Sequence, residues 1–556
     1  MPKNTPIRSS DLVDSFGAVT HLPYTNGGYR ELSSTTNALN YLGIDHVRDQ
    51  APNPAYDAYG QAHFAQAAAQ GVHFTFFAEG GVDPATVVSR IRAIEQAHPG
   101  AITAIEGPNE VNNWPVNHKG LGGTDGAQSY MRDLFDAVQA DPILRDVPVS
   151  GFTDWPNHSS VSDLNTIHPY AKNGDQPNGR IRRDVADQEA VDPGKDFIIT
   201  ETGYHTKINA SGGGWEGVSE DAQAKLVLNT YMSGVLLGAE QVYVYQLLDA
   251  YPGNSQEEHF GLFRLDNSPK PAATAIHNLT AILADTGGNA GSFGVRDLDF
   301  TVTNAPASGH TLVAEKSNGT WQIITWAEPD IWDENSDQPI NVAPTTQTIS
   351  FDQTFQTVEI FDPLMGTSPI RTFTNVSSVN VDVTDHPLII QTSGSGSWQP
   401  PASISPASES PASASPAIAS PAAIPEQSAE PQQAGNPQAP VVQGGESAPD
   451  TLELRISQDA WQGDAQYTVK VDGVQAGGVY TAKALHADGQ ADAVTLTGAW
   501  GSGPHRVSIE FLNDAYEGTA ETDRNLYVDD IIYNGTGHLE VARPQNSAGV
   551  QDYVFG

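Results

Sequence analysis

The sequence contains no cysteine. That excludes disulfides, thiolate zinc centres, iron–sulfur clusters and a cysteine nucleophile. Basic residues are scarce: 27 Lys and Arg stand against 67 Asp and Glu, a formal net charge of −40. Such a chain lacks the cations that displace counterions from a phosphate backbone, which argues against nucleic acid as a partner. It argues equally against an anionic membrane surface. No stretch approaches the about 18 consecutive apolar residues of a bilayer-spanning helix. The opening MPKNTPIRSSDLVDSFGAV has no apolar h-region, so no Sec-type signal is expected there. The ending VQDYVFG reads either as a frayed tail (538–556) or as a C-terminal signal for one-step bacterial export. The second reading suits an acidic, cysteine-free protein that folds outside the cell once calcium binds. A secreted monomer is expected.

What is present is organised in blocks. From 393 to 450 the chain turns to Pro, Ala, Ser, Gln and Gly, and no Lys or Arg occurs between Arg371 and Arg455. That composition cannot bury enough apolar surface to offset chain entropy, so a disordered linker is expected. Before it, residues 1–290 alternate short β-rich runs with helical segments. The runs are Ser15–His21, Gly43–Arg48, Val72–Phe77, Ala101–Ile105, Val147–Phe152, Leu164–His168, Phe197–Thr200 and Gln241–Gln246. The helical segments include Ala58–Gln70, Pro84–Ala97, Gly126–Ala140 and Ser219–Leu237. Eight strands alternating with helices predict an α/β fold, a (β/α)8 TIM barrel. A doubly wound open sheet is the alternative, weakened by the lack of a Gly-rich phosphate turn after the first strand. Residues 291–392 change to short strands with turns between them, which predicts a small accessory β-sandwich. Residues 451–537 read the same way, as a second β-sandwich.

In such a barrel, catalytic groups sit where strands end. Here strand 2 ends on Arg48, strand 4 on Asn109, Glu110 and Trp114, strand 6 on His168 and Tyr170, strand 7 on Glu201 and Tyr204, and strand 8 on Tyr245 and Gln246. Strands 4 and 7 face each other across a barrel mouth, so Glu110 and Glu201 can flank one bond. Hydrolysis of a glycosidic bond needs such a pair, one acid and one nucleophile or base. Arg48 would keep the nucleophile ionised. Tyr204 or Tyr170 could donate a hydrogen bond to it, and Asn109 could bond a sugar hydroxyl. Trp114, Trp155, Trp215, Tyr251 and Phe260 follow strand ends and could stack on sugar faces. The Gly-rich Ala210–Gly217 reads as a mobile loop.

Asn109–Glu110 after strand 4 and Glu201 in ITETGY after strand 7 resemble the clan A retaining glycoside hydrolases. Arg48, His168, Tyr170 and the segment Phe260–Leu279 fit the same clan, over residues 10–290. The whole looks most like a family 39-type enzyme, similar also to families 5 and 30. The resemblance implies Glu110 as acid/base and Glu201 as nucleophile. Where the clan often carries a Trp at the end of strand 8, this sequence has Tyr245–Gln246.

In the last block, Asn513, Asp514, Glu517, Glu521, Asp523, Asn525, Asp529 and Asp530 crowd within 18 positions. Hard oxygen ligands at that density suit calcium, although the spacing is not that of an EF-hand. ISQDAWQGDAQYTVKVDG, GSGPHRVSIEFLNDAY and TDRNLYVDDIIYNG resemble the calcium-dependent xylan-binding modules, families 36 and 60. In such modules the calcium contacts sugar hydroxyls. The resemblance points to Asp514 and Asp523 as ligands, Asn525 and Asp529 next, and Tyr516 on the sugar. Asp459 and Asp464 either hold a second ion or cap turns.

The expectation is a secreted retaining glycoside hydrolase on xylan or a related β-glycan, endo-acting, targeted by a calcium-dependent module, with no cofactor for catalysis. The alternatives are an inactive polysaccharide-binding matrix protein, and a transglycosylase or lyase on the same fold.

Overall fold

The computed structural model describes residues 6–54, 58–154, 161–210, 214–395, and most of 450–555 apart from several short loops there. The expected linker lies outside the described residues. The chain divides into two compact units, residues 1–409 and 410–556.

In the first unit all eight expected strands are present: β1 (Phe16–Val19), β2 (His46–Gln50), β3 (His73–Phe77), β4 (Ile102–Glu106), β5 (Val149–Ser150), β6 (Asn165–Ile167), β7 (Phe197–Thr202) and β8 (Ala239–Val244). They pair in parallel in the order β5-β4-β3-β2-β1-β8-β7-β6. A parallel bridge between Ser150 and Leu164 links the two ends of that path, so the sheet closes as a (β/α)8-type barrel. Helices follow every strand but β5, after which no helix occurs among the described residues.

Local chemistry sets these boundaries. The helix Pro84–Ala97 begins where the Asp83 side chain accepts from Thr86 N at 3.1 Å and Pro84 occupies the first turn. Its buried stripe, Val87, Val88, Ile91 and Ile94, recurs at helical spacing against the strands. The helix Glu220–Leu236 starts on a Ser219 cap, with Glu220 and Asp221 at its positive end. It is buried nearly all round, because it lies between the barrel and a second sheet.

That second sheet differs from the expected accessory sandwich in two ways. Its strands form one hydrogen-bonded sheet of seven. The long strand Thr345–Phe361 shifts register between Ser350 and Phe355, pairing Phe300–Thr303 before the shift and Leu388–Ser395 after it. The sheet thereby wraps its own core of Trp321, Ile323, Ile349, Phe355 and Val381. Moreover, Ile7–Arg8 joins its edge in parallel with Ala314–Glu315, so the start of the chain belongs to this sheet. Trp326, Trp332 and Ile389 share the barrel's own core cluster.

A buried charge network ties the sheet to the barrel. His386 bonds Asp385 at 2.8 Å and Asp362 at 3.1 Å, and Lys225 bonds Asp385 at 2.8 Å. Burial opposes charge on His386, yet the hydrogen bonds to Asp362 and Asp385 hold its pKa above the usual value. Burial alone would raise Asp385, but bonds from His386 and Lys225 bring it to about 2. The His386 contribution is complete below about pH 6.5 and fades as pH rises through its raised native pKa; that of Asp385 fades as pH falls towards 2. Melting temperature measured against pH should therefore decline on the alkaline side of about pH 6.5, and His386→Asn should flatten that decline.

The second unit is a two-sheet sandwich. One sheet is built on Asp450–Asp459, Asp492–Gly498 and Asp523–Tyr533, the other on Gln466–Val471, His505–Phe511 and Gly549–Phe555. Leu452, Leu454, Tyr467, Val469, Ile509 and Val528 fill the space between them. The segment read as a tail is a strand. Gly549–Phe555 pairs antiparallel with His505–Phe511 along its whole length, and Tyr553 is fully buried. The linear sequence concealed this strand, because so short a run as VQDYVF, apolar and acidic by turns, looks like fraying.

Candidate active site and an oxygen-rich cluster

A cavity of about 1560 Å³ opens at the C-terminal ends of the barrel strands. It is lined by Arg48, Asn109, Glu110, Trp114, His168, Tyr170 and Glu201, among others.

Arg48, on β2, is 1% exposed and is the hub of this floor. Its guanidinium meets Glu106 through Nε at 2.7 Å and Nη2 at 3.0 Å, Glu201 through Nη1 at 2.7 Å, and the Asn109 amide oxygen through Nη2 at 2.6 Å. Burial disfavours its charge, but Glu106 and Glu201 raise its pKa further. Tyr170 donates to the other Glu201 oxygen at 2.6 Å. Burial, and then the Glu201 charge, push the Tyr170 phenol up, so it stays a donor. Glu201 is thus an oriented carboxylate with a cation on one oxygen and a phenol on the other.

Glu110 is held differently. Its backbone is left-handed, with φ of 42°, a conformation that costs non-glycine residues about 1 kcal/mol and clusters at functional sites. Glu110 N donates to Thr153 Oγ1 at 2.7 Å, and Glu110 O accepts from the backbone N–H groups of Asn113 and Trp114 at 2.8 Å, which fixes this turn. One carboxylate oxygen accepts from Asn113 Nδ2 at 2.9 Å; the other lies 3.4 Å from His168 Nδ1. The His168 contact pulls the Glu110 pKa down to about 2. One carboxylate oxygen of Glu110, one of Glu201 and a His168 nitrogen all lie within 4.8 Å of one another.

The proton on His168 follows from its neighbours. Thr200 Oγ1 donates to Glu106 Oε1 at 3.2 Å, so its contact with His168 Nε2 at 3.0 Å takes its proton from the imidazole. Nδ1 is then the ring nitrogen that faces the Glu110 carboxylate.

Tyr204 and Gln246 depart from expectation. Tyr204 is 3% exposed and its hydroxyl donates to Asp175 O at 2.9 Å, away from Glu201. Gln246 is 2% exposed and accepts from Tyr29 at 3.1 Å. Neither lines the cavity. Tyr245 does, and the peptide between Tyr245 and Gln246 is cis. Trp114 is 70% exposed on the cavity rim. Trp215 and Phe260 line the opposite wall and pack on Tyr170. Tyr251 lies outside the lining, its ring tilted against Tyr24 at 6.0 Å. Trp155 and part of the Gly-rich loop lie outside the described residues. Glu106, Thr153 and Asn113 went unrecognised in the sequence. Glu106 ends β4 directly before the motif, and a carboxylate closing the apolar run ITAI was the signal.

In the second unit, the hairpin register Ala515↔Arg524 and Tyr516↔Asp523 brings Asp514 beside Asn525. Asn525 Nδ2 lies 3.2 Å from Asp523 and 3.3 Å from Asp459, and Tyr527 donates to Asp459 at 2.5 Å. Asp514 Oδ1, Asp523 Oδ1 and Asn525 Oδ1 are buried and accept no hydrogen bond from a described residue. Orphaned oxygens cost about 1–3 kcal/mol each, and three of them on one hairpin suit a hard cation such as calcium. Arg524 pins the surrounding loops, donating to the carbonyls of Trp461, Gly463 and Asn513. Asp459 joins this cluster, whereas Asp464 takes Lys483 and Gln458. The side chains of Tyr516 and Asp529 lie outside the described residues.

Residues 451–547 match the family described as CBM60, a Ca-dependent, xylan-binding carbohydrate-binding module. No curated protein matches the chain. Among solved structures, a family 39 glycoside hydrolase from the gut symbiont Bacteroides cellulosilyticus WH2 is 13% identical, with a TM-score of 0.47 over 69% of this chain and 82% of its own. The GH39 enzyme from Xanthomonas axonopodis pv. citri is 15% identical, with a TM-score of 0.41 over 69% and 94%. An active-site mutant of the Rhizomucor miehei β-1,3-glucanosyltransferase is 16% identical, with a TM-score of 0.37 over 46% and 96%.

Proposed function

We propose that this chain is a retaining glycoside hydrolase that cleaves β-glycosidic bonds of xylan or a related polysaccharide outside the cell. The observation that carries this reading is the pair Glu110 and Glu201, with carboxylate oxygens within 4.8 Å at one end of a barrel. Retaining enzymes place their carboxyl groups about 5–5.5 Å apart, whereas inverting ones leave room for a water between them. A divalent metal between the same groups is disfavoured by the Arg48 cation, 2.7 Å from Glu201.

In this reading Glu201 attacks the anomeric carbon. Arg48 and Tyr170 hold its two oxygens in place. Glu110 gives a proton to the leaving oxygen, with His168 Nδ1 placed 3.4 Å from its carboxylate. Glu110, now ionised, then draws a proton from the water that hydrolyses the glycosyl-enzyme. At rest the His168 contact holds the Glu110 pKa near 2; a sugar that displaces water from the carboxylate raises it, so that Glu110 carries the proton when the bond breaks. His168→Phe and Glu110→Gln should therefore lower kcat about 10²-fold or more on unactivated glycosides and much less on aryl glycosides with acidic leaving groups. Equal losses on both substrate types would remove the acid assignment.

The C-terminal unit, in the same reading, holds the polymer near the cleft and raises its local concentration. Asp514, Asp523, Asn525 and Asp459 would hold a calcium ion, which supplies coordination sites for sugar hydroxyls. Affinity electrophoresis in xylan gels should show retardation that EDTA abolishes and calcium restores. Asp523→Ala should behave as the EDTA-treated protein while hydrolysing short soluble oligosaccharides normally.

The deciding experiment is product analysis on xylan, β-glucan, mannan and a bacterial exopolysaccharide, with the first-formed anomer read by NMR. Retention supports the reading. Inversion, or binding without release, overturns it. Fractionating a culture into medium and cells tests the location.

A further inference from the structure

At the opposite end of the barrel lies a cluster with no part in this chemistry. Asp14 precedes β1, Asp45 and His46 open β2, and His73 opens β3 as the register partner of His46. Ligand atoms of Asp14, Asp45 and His46 all lie within 4.8 Å of one another. His46 Nε2 is 3.6 Å from Asp45 Oδ1 and 3.9 Å from Asp14 Oδ1. These separations are too long for good hydrogen bonds. They are close to the about 3.4 Å between neighbouring ligands of a tetrahedral ion bound at about 2.1 Å. The His46 side chain is 9% exposed, and its Nε2 faces both carboxylates. The ring of His73 stands 5.0 Å from that of His46, so a second imidazole borders the cluster.

The charges agree with the geometry. Neither carboxylate has a Lys or Arg ion pair among the described residues. The active-site trio differs on this point, because Arg48 already neutralises it. Asp14 and Asp45 expose 73% and 57% of their side chains, which leaves solvent access for entry and for a completing water.

The geometry points to a zinc-type divalent transition-metal site formed by Asp14, Asp45 and His46, with His73 at its border, at the N-terminal face of the barrel. Nitrogen beside carboxylate selects zinc over calcium. An ion there ties together the starts of β1 and β2 and stabilises the fold without entering catalysis.

The test uses the full chain, stripped of metal and then saturated with calcium so that the C-terminal cluster is filled. Zinc is titrated by calorimetry, and the melting temperature is followed in parallel. One equivalent should bind and raise the melting temperature. Asp45→Asn, an exposed change that leaves the fold intact, and His46→Gln should each weaken binding at least about tenfold, whereas Glu110→Gln should not. Cobalt in place of zinc should give visible absorption bands that Asp45→Asn alters. Binding that survives both substitutions, binding lost in Glu110→Gln, or no binding at 100 µM free zinc would each overturn the proposal.

Discussion

A Glu201→Ala protein should release no measurable reducing sugar from any polysaccharide that the wild type attacks, a loss of at least about 10⁴-fold in kcat. The carboxylate removed is the one that Arg48 and Tyr170 orient from both sides at 2.7 and 2.6 Å. The substitution also leaves a space beside the guanidinium that a small anion can enter. With azide and an activated aryl β-glycoside, the variant should make the α-glycosyl azide, because the anion attacks from the Glu201 side. Glu110→Ala should instead accumulate the glycosyl-enzyme and give the β-glycosyl azide. Chromatography of the two azides assigns both roles in one comparison, and identical anomers from the two variants would refute the assignment.

Arg48→Met should be the most destabilising substitution of the floor. Arg48 and Glu106 are 1% and 0% exposed, and their contact is bidentate. Removing one partner of such a pair strands a buried charge, at a cost of about 3–5 kcal/mol. Removing both with apolar residues of similar volume is often close to neutral. Urea unfolding should therefore show a large loss for Arg48→Met and a substantial recovery for the double variant with Glu106→Leu. If the double variant is as unstable as the single one, the loss belongs to the packing of Arg48 over Phe77, 4.5 Å away. Activity is absent in both, since Glu201 has lost its cation.

Much of this site was legible in the sequence, and for a physical reason. Parallel strands buried on both faces read as apolar runs, so the first polar residue after each run marks the barrel rim. That rule located Arg48, Asn109, Glu110, His168, Tyr170 and Glu201, which do converge. It misplaced Tyr204 and Gln246. Position along a strand end does not say whether a side chain turns into the mouth or back towards its helix. Glu106 was hidden for the opposite reason: a carboxylate inside the strand looks like an interruption until its cation is found across the barrel. The helix after β6, Pro177–Val191, has the charged, weakly periodic sequence PNGRIRRDVADQEAV, and its fold depends on tertiary partners such as Glu328, which accepts from Asn178 N at 2.9 Å. In the C-terminal unit the crowding of oxygens was visible, but Asp459 could be joined to Asp523 and Asn525 only through strand register, which a linear reading does not contain.

The two-residue strand at Ile7–Arg8 has a consequence for folding. Its partner, Ala314–Glu315, is some three hundred positions away, so the sheet edge forms only by closing a loop that contains the entire barrel. Contacts of such long range slow folding and make assembly cooperative. The barrel and the seven-stranded sheet should consequently unfold in one calorimetric transition. A fragment ending near residue 290 would leave the first strand without its template and expose the apolar faces of the helices that the sheet covers.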